Sequence, residues 1–144
     1  MDYKKVMVPL DGSDNSELAF KRSMEFVQEV GTSLYLVHVI DTMPLVGNYG
    51  VVSGDLFYDL SERAREYLEQ MKLQAEKWGA QDVSIHVRFG NPKTVIAKDF
   101  VDEYHIDLIV IGSTGLNVVE RILVGSVAEY VNRHAPVDVM VIKK

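Results

Sequence analysis

The chain has 144 residues, of which 47% are hydrophobic and 25% charged, and its formal net charge is −6 at pH 7. This length fits one globular domain, residues 1–144, and the composition argues against disorder. The negative charge disfavours a nucleic-acid partner, because binding a phosphate backbone needs a basic face, and the lack of cysteine excludes disulfides and thiolate sites. No stretch approaches the about 20 apolar residues of a membrane span, so we expect a cytoplasmic protein.

The first half of the chain alternates between strand and helix patterns. VMVPL (6–10) is a β-branched run that predicts a strand, and residues 14–31 follow as a helix with one apolar face. LYLVHVI (34–40) predicts the second strand. Residues 41–54 are rich in Gly, Pro and Asn, and they predict a long loop of the kind that often serves as a functional lid.

The second half continues the alternation. A helix is predicted at about 56–78, and the strictly alternating VSIHVRF (83–89) predicts an edge strand with His86 on a solvated face. Asn91 and Pro92 predict the start of a further helix. Three more elements complete the series: a strand at 107–112, a helix that begins near Ser126 and a strand at 137–144.

This regular order of strands and helices predicts an α/β fold of the Rossmann-like or flavodoxin-like kind. It requires a five-stranded parallel sheet with helices on both faces. The first, second and fourth strands are almost continuously apolar, whereas the third alternates, so we expect the spatial order 3-2-1-4-5. Pro9 is compatible with a central strand because it lies close to the strand's carboxyl end.

The point where the winding reverses, between strands one and four, is the predicted ligand site. The residues there are PLDGS (9–13) and GSTG (112–115). The two glycines of GSTG would permit close backbone approach and unusual φ angles, and Gly125 with Ser126 would offer free N–H groups to a phosphate. Asp11 would accept a hydrogen bond from an amine or a ribose hydroxyl. Glycine chemistry alone leaves a second interpretation equally open, in which these glycines form turns and Ser126 caps a helix.

The glycine spacing resembles the signature of the universal stress protein family. Gly112, two residues, Gly115, nine residues, Gly125 and Ser126 match it at every fixed position. VPLDGSDNSELA, from Val8, resembles the family's first-strand motif, and LVHVID (36–41) resembles its second strand. The resemblance covers essentially the full chain. It implies ATP binding by the glycine-bearing branch, in a five-stranded α/β fold that usually forms dimers.

The resemblance also implies a role for individual residues. Thr114 stands where the family often has Arg or His, which removes a positive contact, and Asp138 stands where a Pro is common. Magnesium or manganese would accompany the phosphates. The residues implied are Pro9, Leu10, Asp11 and Val39 at the adenine and ribose, Gly112, Ser113, Thr114, Gly115, Leu116 and Asn117 around the ribose and phosphates, and Gly125, Ser126 and Val127 at the outer phosphates.

We therefore predict an ATP-binding regulatory protein of the stress response. It would act as a nucleotide-dependent homodimeric switch or protectant with at most slow ATP hydrolysis. Residues 137–143 form an apolar edge strand, which is an aggregation liability unless it is paired, so the dimer is expected to form there. The alternative is a structural or interaction dimer with a vestigial pocket.

Other chemistries lack the residues they need. There is no P-loop and no nucleophile elbow, and the four histidines have no spacing typical of a zinc site. A phosphotransfer receiver needs a carboxylate after strand three, and HVRFGNP offers none. Arg121 suits either a phosphate contact or a surface ion pair.

Overall fold

A five-stranded parallel sheet forms the centre of the structure, in the order β3-β2-β1-β4-β5. The structure, a computed structural model, describes residues 2–28, 30–49, 54–114 and 124–144, and of residues 46–49 only the backbone. The strands are β1 (Lys5–Pro9), β2 (Ser33–Asp41), β3 (Val83–Gly90), β4 (Leu108–Gly112) and β5 (Asp138–Ile142). The helices are α1 (Asp14–Val27), α2 (Thr42–Tyr49), α3 (Gly54–Lys77), α4 (Pro92–Thr94), a π-helical segment (Val95–Asp99), α5 (Phe100–Tyr104) and α6 (Ser126–His134).

This arrangement confirms the predicted fold class and strand order. The central strand β1 pairs with β2 on one side, from Lys5↔Ser33 to Pro9↔Val37, and with β4 on the other. Pro9 is the last residue of β1, where the missing N–H matters least. Among the helices in the described ranges, none is long and apolar enough to cross a membrane.

The hydrophobic core has two layers, one on each face of the sheet. Val6 and Val8 belong to one buried cluster with Phe20 of α1 and Leu68 of α3. Met7, which lies between them in β1, belongs to the other cluster, which is formed with α5 and α6. Successive side chains of a strand point to opposite faces, so β1 must be covered on both. This double burial explains why its sequence is apolar without alternation.

The composition of residues 41–54 predicted one long loop, and this prediction is wrong. Residues Thr42–Tyr49 form helix α2, and α3 begins at Gly54. The Asp41 carboxylate accepts a hydrogen bond from the Met43 backbone N–H at 3.0 Å, which satisfies one of the unpaired donors at the helix start. Pro44 lies in the first turn, where no N–H is needed. A loop-like composition is therefore compatible with a helix at this position.

The prediction of a solvated His86 is also wrong. Its ring lies 4.8 Å from that of Tyr104 and 5.1 Å from that of Phe100, measured between centroids, and Nε2 lies 2.8 Å from the Ser84 hydroxyl. The α5 helix covers this face of β3, so both faces of the edge strand are partly buried. Burial, assisted by the charge of Arg88 and opposed by that of Glu103, lowers the pKa of His86 to about 4.

The low pKa of His86 predicts that acid destabilises the fold. The unfolded chain would bind a proton near pH 6.5 and the folded chain only near pH 4, so stability is fully present above pH 6.5 and is lost as the pH falls through this window. We expect wild type to lose about 1–2 kcal/mol more unfolding free energy between pH 7 and pH 5 than His86→Phe does. Urea unfolding at both pH values measures this difference, and equal losses would contradict it.

Candidate functional site

A cavity of about 360 Å³ opens at the carboxyl ends of β1 and β4, where the winding of the sheet reverses. Its volume lies within the range typical of small-molecule sites. The floor comes from the ends of three strands and the walls from α4, the π-helical segment and the first turn of α6. The residues that line it are Pro9, Leu10, Asp11, Ser16, Val37, His38, Val39, Asp41, Pro92, Ile96, Ile111, Gly112, Ser113, Thr114, Gly125, Ser126, Val127 and Ala128.

The cavity brings together every described residue that was assigned to the site from the sequence. Gly115, Leu116, Asn117 and also Arg121 lie outside the described residues. The ten that the structure places around the cavity are Pro9, Leu10, Asp11, Val39, Gly112, Ser113, Thr114, Gly125, Ser126 and Val127.

Gly112 shows one of the two properties expected of it: it permits a close backbone approach, but its φ angle is not unusual. The φ angle of Gly112 is not positive, so its backbone conformation does not require glycine. An added Cβ would instead lie 2.6 Å from the carbonyl carbon of Asn15 and 2.8 Å from the Ser16 nitrogen. The missing side chain therefore lets the first turn of α1 pack directly on the end of β4.

Ser113 ties the end of β4 to two other segments. Its N–H donates to the Ile142 carbonyl of β5 at 2.8 Å, and its carbonyl accepts from the Gly125 N–H at 2.5 Å. The side chain is buried. These bonds hold the end of β4 beside the start of α6, so the residues on both sides of the segment 115–123 are close together.

The first turn of α6, whose backbone N–H groups have no acceptor within the helix, lines the cavity. Gly125 occupies the N-cap position and makes no side-chain cap, and its carbonyl accepts from the Glu129 N–H at 2.9 Å. Ser126, Val127 and Ala128 form the first turn and line the cavity. The interpretation of Ser126 as a simple helix cap is therefore wrong. The N–H groups and the positive end of the helix dipole suit an anion.

The opposite side of the cavity carries acceptors. The exposed Asp11 carboxylate accepts from the Ser13 N–H at 2.9 Å, which orients it at the end of β1. The His38 Nδ1 lies 2.7 Å from the Leu10 carbonyl oxygen. Because a carbonyl can only accept, Nδ1 must carry a proton to make this hydrogen bond. Sequence reasoning missed His38 as a lining residue, since an isolated histidine in a strand carries no motif.

The charges around the cavity are unevenly distributed. Among the described lining residues there is no Lys or Arg, whereas Asp11 and Asp41 are acidic. Within the described parts of the chain, no three His, Asp or Glu side chains are grouped so that they could hold a metal ion. Among the described residues, attraction for an anion at the α6 end therefore comes from backbone dipoles and hydroxyls.

Comparison with known proteins assigns the family. The family model described as "Universal stress protein family" matches residues 2–143. The chain is 38% identical over 141 residues to a protein of Staphylococcus aureus (strain USA300) curated among the universal stress proteins. The alignment covers 98% of this chain and 84% of the relative.

Solved structures agree with this assignment. The universal stress protein UspA from Lactobacillus plantarum superposes with a TM-score of 0.85 at 29% identity, over 99% of both chains. A universal stress protein crystallised in complex with cAMP superposes with a TM-score of 0.70 at 26% identity, over 99% of this chain and 98% of that one. The whole-chain family match and the fold together show that this chain belongs to the universal stress protein family.

Proposed function

We propose that the cavity binds ATP and that the protein is a cytoplasmic, homodimeric regulator of the stress response with at most slow ATP hydrolysis. The observation that carries this proposal is the position of the α6 N-terminus. The first turn of this helix, whose N–H groups have no acceptor within the helix, lines a cavity that is also lined by Asp11 and by apolar side chains. Anion donors at one end and an acceptor at the other match the chemistry of a nucleotide.

Each part of the nucleotide has candidate contacts. Pro9, Val39 and Ile96 offer apolar surface to the base, and Asp11 offers a carboxylate to the ribose hydroxyls. Ser126 and Val127 offer N–H groups to the outer phosphates, which would carry magnesium or manganese with them. The family resemblance adds Gly115, Leu116 and Asn117 around the ribose and phosphates. The cAMP complex of a relative supports an adenine nucleotide as the ligand class.

Slow hydrolysis is proposed because the described lining residues supply no cationic side chain. Fast phosphoryl transfer depends on cations that neutralise the charge developing on the phosphate oxygens. A nucleotide held mainly by backbone N–H groups would be bound with little acceleration of its cleavage. The bound nucleotide would then act as a signal rather than as a substrate.

Isothermal titration tests the proposal. ATP and a non-hydrolysable analogue should bind with similar affinity, and both should bind more tightly than adenosine, which lacks the phosphates. AMP and cAMP titrated in parallel show which nucleotide is preferred. No heat with any of these ligands at millimolar concentration would overturn the proposal. Mass spectrometry of small molecules that co-purify with the native protein gives independent evidence.

The β5 edge favours the proposed homodimer. Among the described residues, strand β5 pairs only with β4, and its central residues Val139, Met140 and Val141 are partly exposed. An apolar edge of this kind is a template for pairing with a second chain. The same surface would serve the alternative function, an interaction dimer with a vestigial pocket.

We expect a solution mass twice that of the 16.2 kDa chain. Met140→Lys should yield monomers, because a charged side chain in an edge strand opposes strand pairing. Light scattering after size exclusion measures the mass. Val30→Lys, at a residue that is 81% exposed and far from β5 in the chain, is the control and should leave the dimer intact. A monomeric wild type would contradict the prediction.

A further inference from the structure

Asn15, in the first turn of α1, contacts Ser113 and Thr114, two residues that line the cavity. Its side chain is 9% exposed, and its Nδ2 amide group donates to the hydroxyls of both Ser113 and Thr114, at 3.4 Å in the case of Ser113. The Ser13 hydroxyl lies 3.5 Å from the Thr114 carbonyl oxygen and adds a second link. Ser113 and Thr114 line the cavity, whereas Asn15 lies behind them.

The direction of these hydrogen bonds determines whether the Ser113 and Thr114 hydroxyls can still donate a hydrogen bond to a ligand. A hydroxyl has one proton to donate and two lone pairs that accept. Because the Asn15 amide occupies a lone pair on each oxygen, both protons remain available to a third group. Neither hydroxyl donates to another residue in the described part of the chain.

Packing alone does not explain why residue 15 is an asparagine. Its Oδ1 is buried, and among the described residues it has no hydrogen-bond partner. A stranded buried acceptor is destabilising, and a leucine of similar shape would fill the same space without it. The amide therefore has to be explained by what its donor end does at Ser113 and Thr114.

We propose that Asn15 is a positioning residue for the bound nucleotide, a proposal that rests on the function proposed above. By donating to the hydroxyls of Ser113 and Thr114, it orients their protons toward a phosphate oxygen of the ligand. The interaction acts on the phosphates and not on the base or ribose.

The test compares ATP with adenosine in wild type, Asn15→Leu, Thr114→Val and the double variant. Asn15→Leu should fold with a melting temperature close to that of wild type, because removing the unpartnered acceptor offsets the loss of the hydrogen bonds to Ser113 and Thr114, yet bind ATP about tenfold more weakly. Adenosine affinity should stay within about twofold. Thr114→Val should show the same selective loss. The double variant should lose less than the product of the two single losses, since both remove the same interaction.

The control is Asn132→Leu, which makes the same substitution at an exposed site on α6 and should leave ATP binding unchanged. If wild type binds no nucleotide, the proposed function fails and this inference with it. If wild type binds ATP but Asn15→Leu binds it equally well, or loses ATP and adenosine equally, only the role of Asn15 is overturned. Should Asn15→Leu fail to fold, Thr114→Val, at a partly exposed site, still overturns the proposal if it binds ATP as tightly as wild type, because Asn15 is proposed to act through this hydroxyl.

Discussion

Replacing Gly112 by alanine is expected to lower the free energy of unfolding by about 3 kcal/mol. The new Cβ would lie 2.6 Å from the carbonyl carbon of Asn15 and 2.7 Å from its oxygen. These are backbone atoms, so no side-chain rotation relieves the overlap, and the first turn of α1 must move away from β4. That movement breaks contacts that Phe20 and its neighbours make with the sheet. Urea unfolding followed by circular dichroism measures the loss.

A second glycine provides the matched control. At Gly54, the first residue of α3, an added Cβ meets nothing within 4 Å, and φ is not positive. Gly54→Ala should therefore leave stability unchanged or raise it by less than about 1 kcal/mol, since alanine is the better helix former. If Gly112→Ala were as stable as Gly54→Ala, the packing of α1 on β4 would not depend on glycine.

Replacing Ser126 by aspartate is expected to weaken ATP binding by about a hundredfold while slightly stabilising the free protein. A carboxylate in the first turn of α6 would interact favourably with the helix dipole, by about 0.5 kcal/mol. The same carboxylate would stand where the proposed phosphates lie, and at about 4 Å two such charges repel by several kcal/mol. The two effects thus have opposite signs. Isothermal titration with ATP and thermal melting of the free protein measure them.

Asn132→Asp is the control for Ser126→Asp. It adds the same charge to an exposed position of the same helix, about 9 Å further along its axis, where salt screens much of the repulsion. ATP affinity should fall only slightly. Adenosine, which has no phosphate, should bind wild type and Ser126→Asp alike. ATP binding by Ser126→Asp with wild-type affinity would mean that the phosphates do not lie at this helix.

The fold was predictable because its signals are local and repeated. Val6, Met7 and Val8 are apolar in succession because β1 is covered on both faces, and Asn91 with Pro92 marks a helix start in the structure as in the sequence. The Asn91 side chain accepts from the Lys93 N–H at 3.0 Å, as a helix cap should. Such features depend only on neighbouring residues, so they can be read without knowing the tertiary contacts.

The two errors have different physical causes. His86 alternates with apolar residues as a solvated side chain would, but α5 packs over it and lowers its pKa. Residues 42–49 have the composition of a loop, but the Asp41 carboxylate satisfies the donor of Met43 and a helix forms. The contact of α5 with His86 leaves no pattern in the sequence around His86, whereas the Asp41 cap is a local signal that the loop-like composition outweighed.

By itself, the sequence determined the α/β class and the strand order, and it predicted that a ligand would bind at the carboxyl ends of strands one and four. It also determined the family, through the spacing of Gly112, Gly115 and Gly125. Only the tertiary structure decided why Gly112 must be glycine, and it alone revealed Asn15 behind the cavity wall. Periodicity and motif spacing indicate only on which face of an element, or in which turn, a residue lies. The approach of α1 to β4 joins residues about a hundred positions apart, and such long-range contacts are decided by packing.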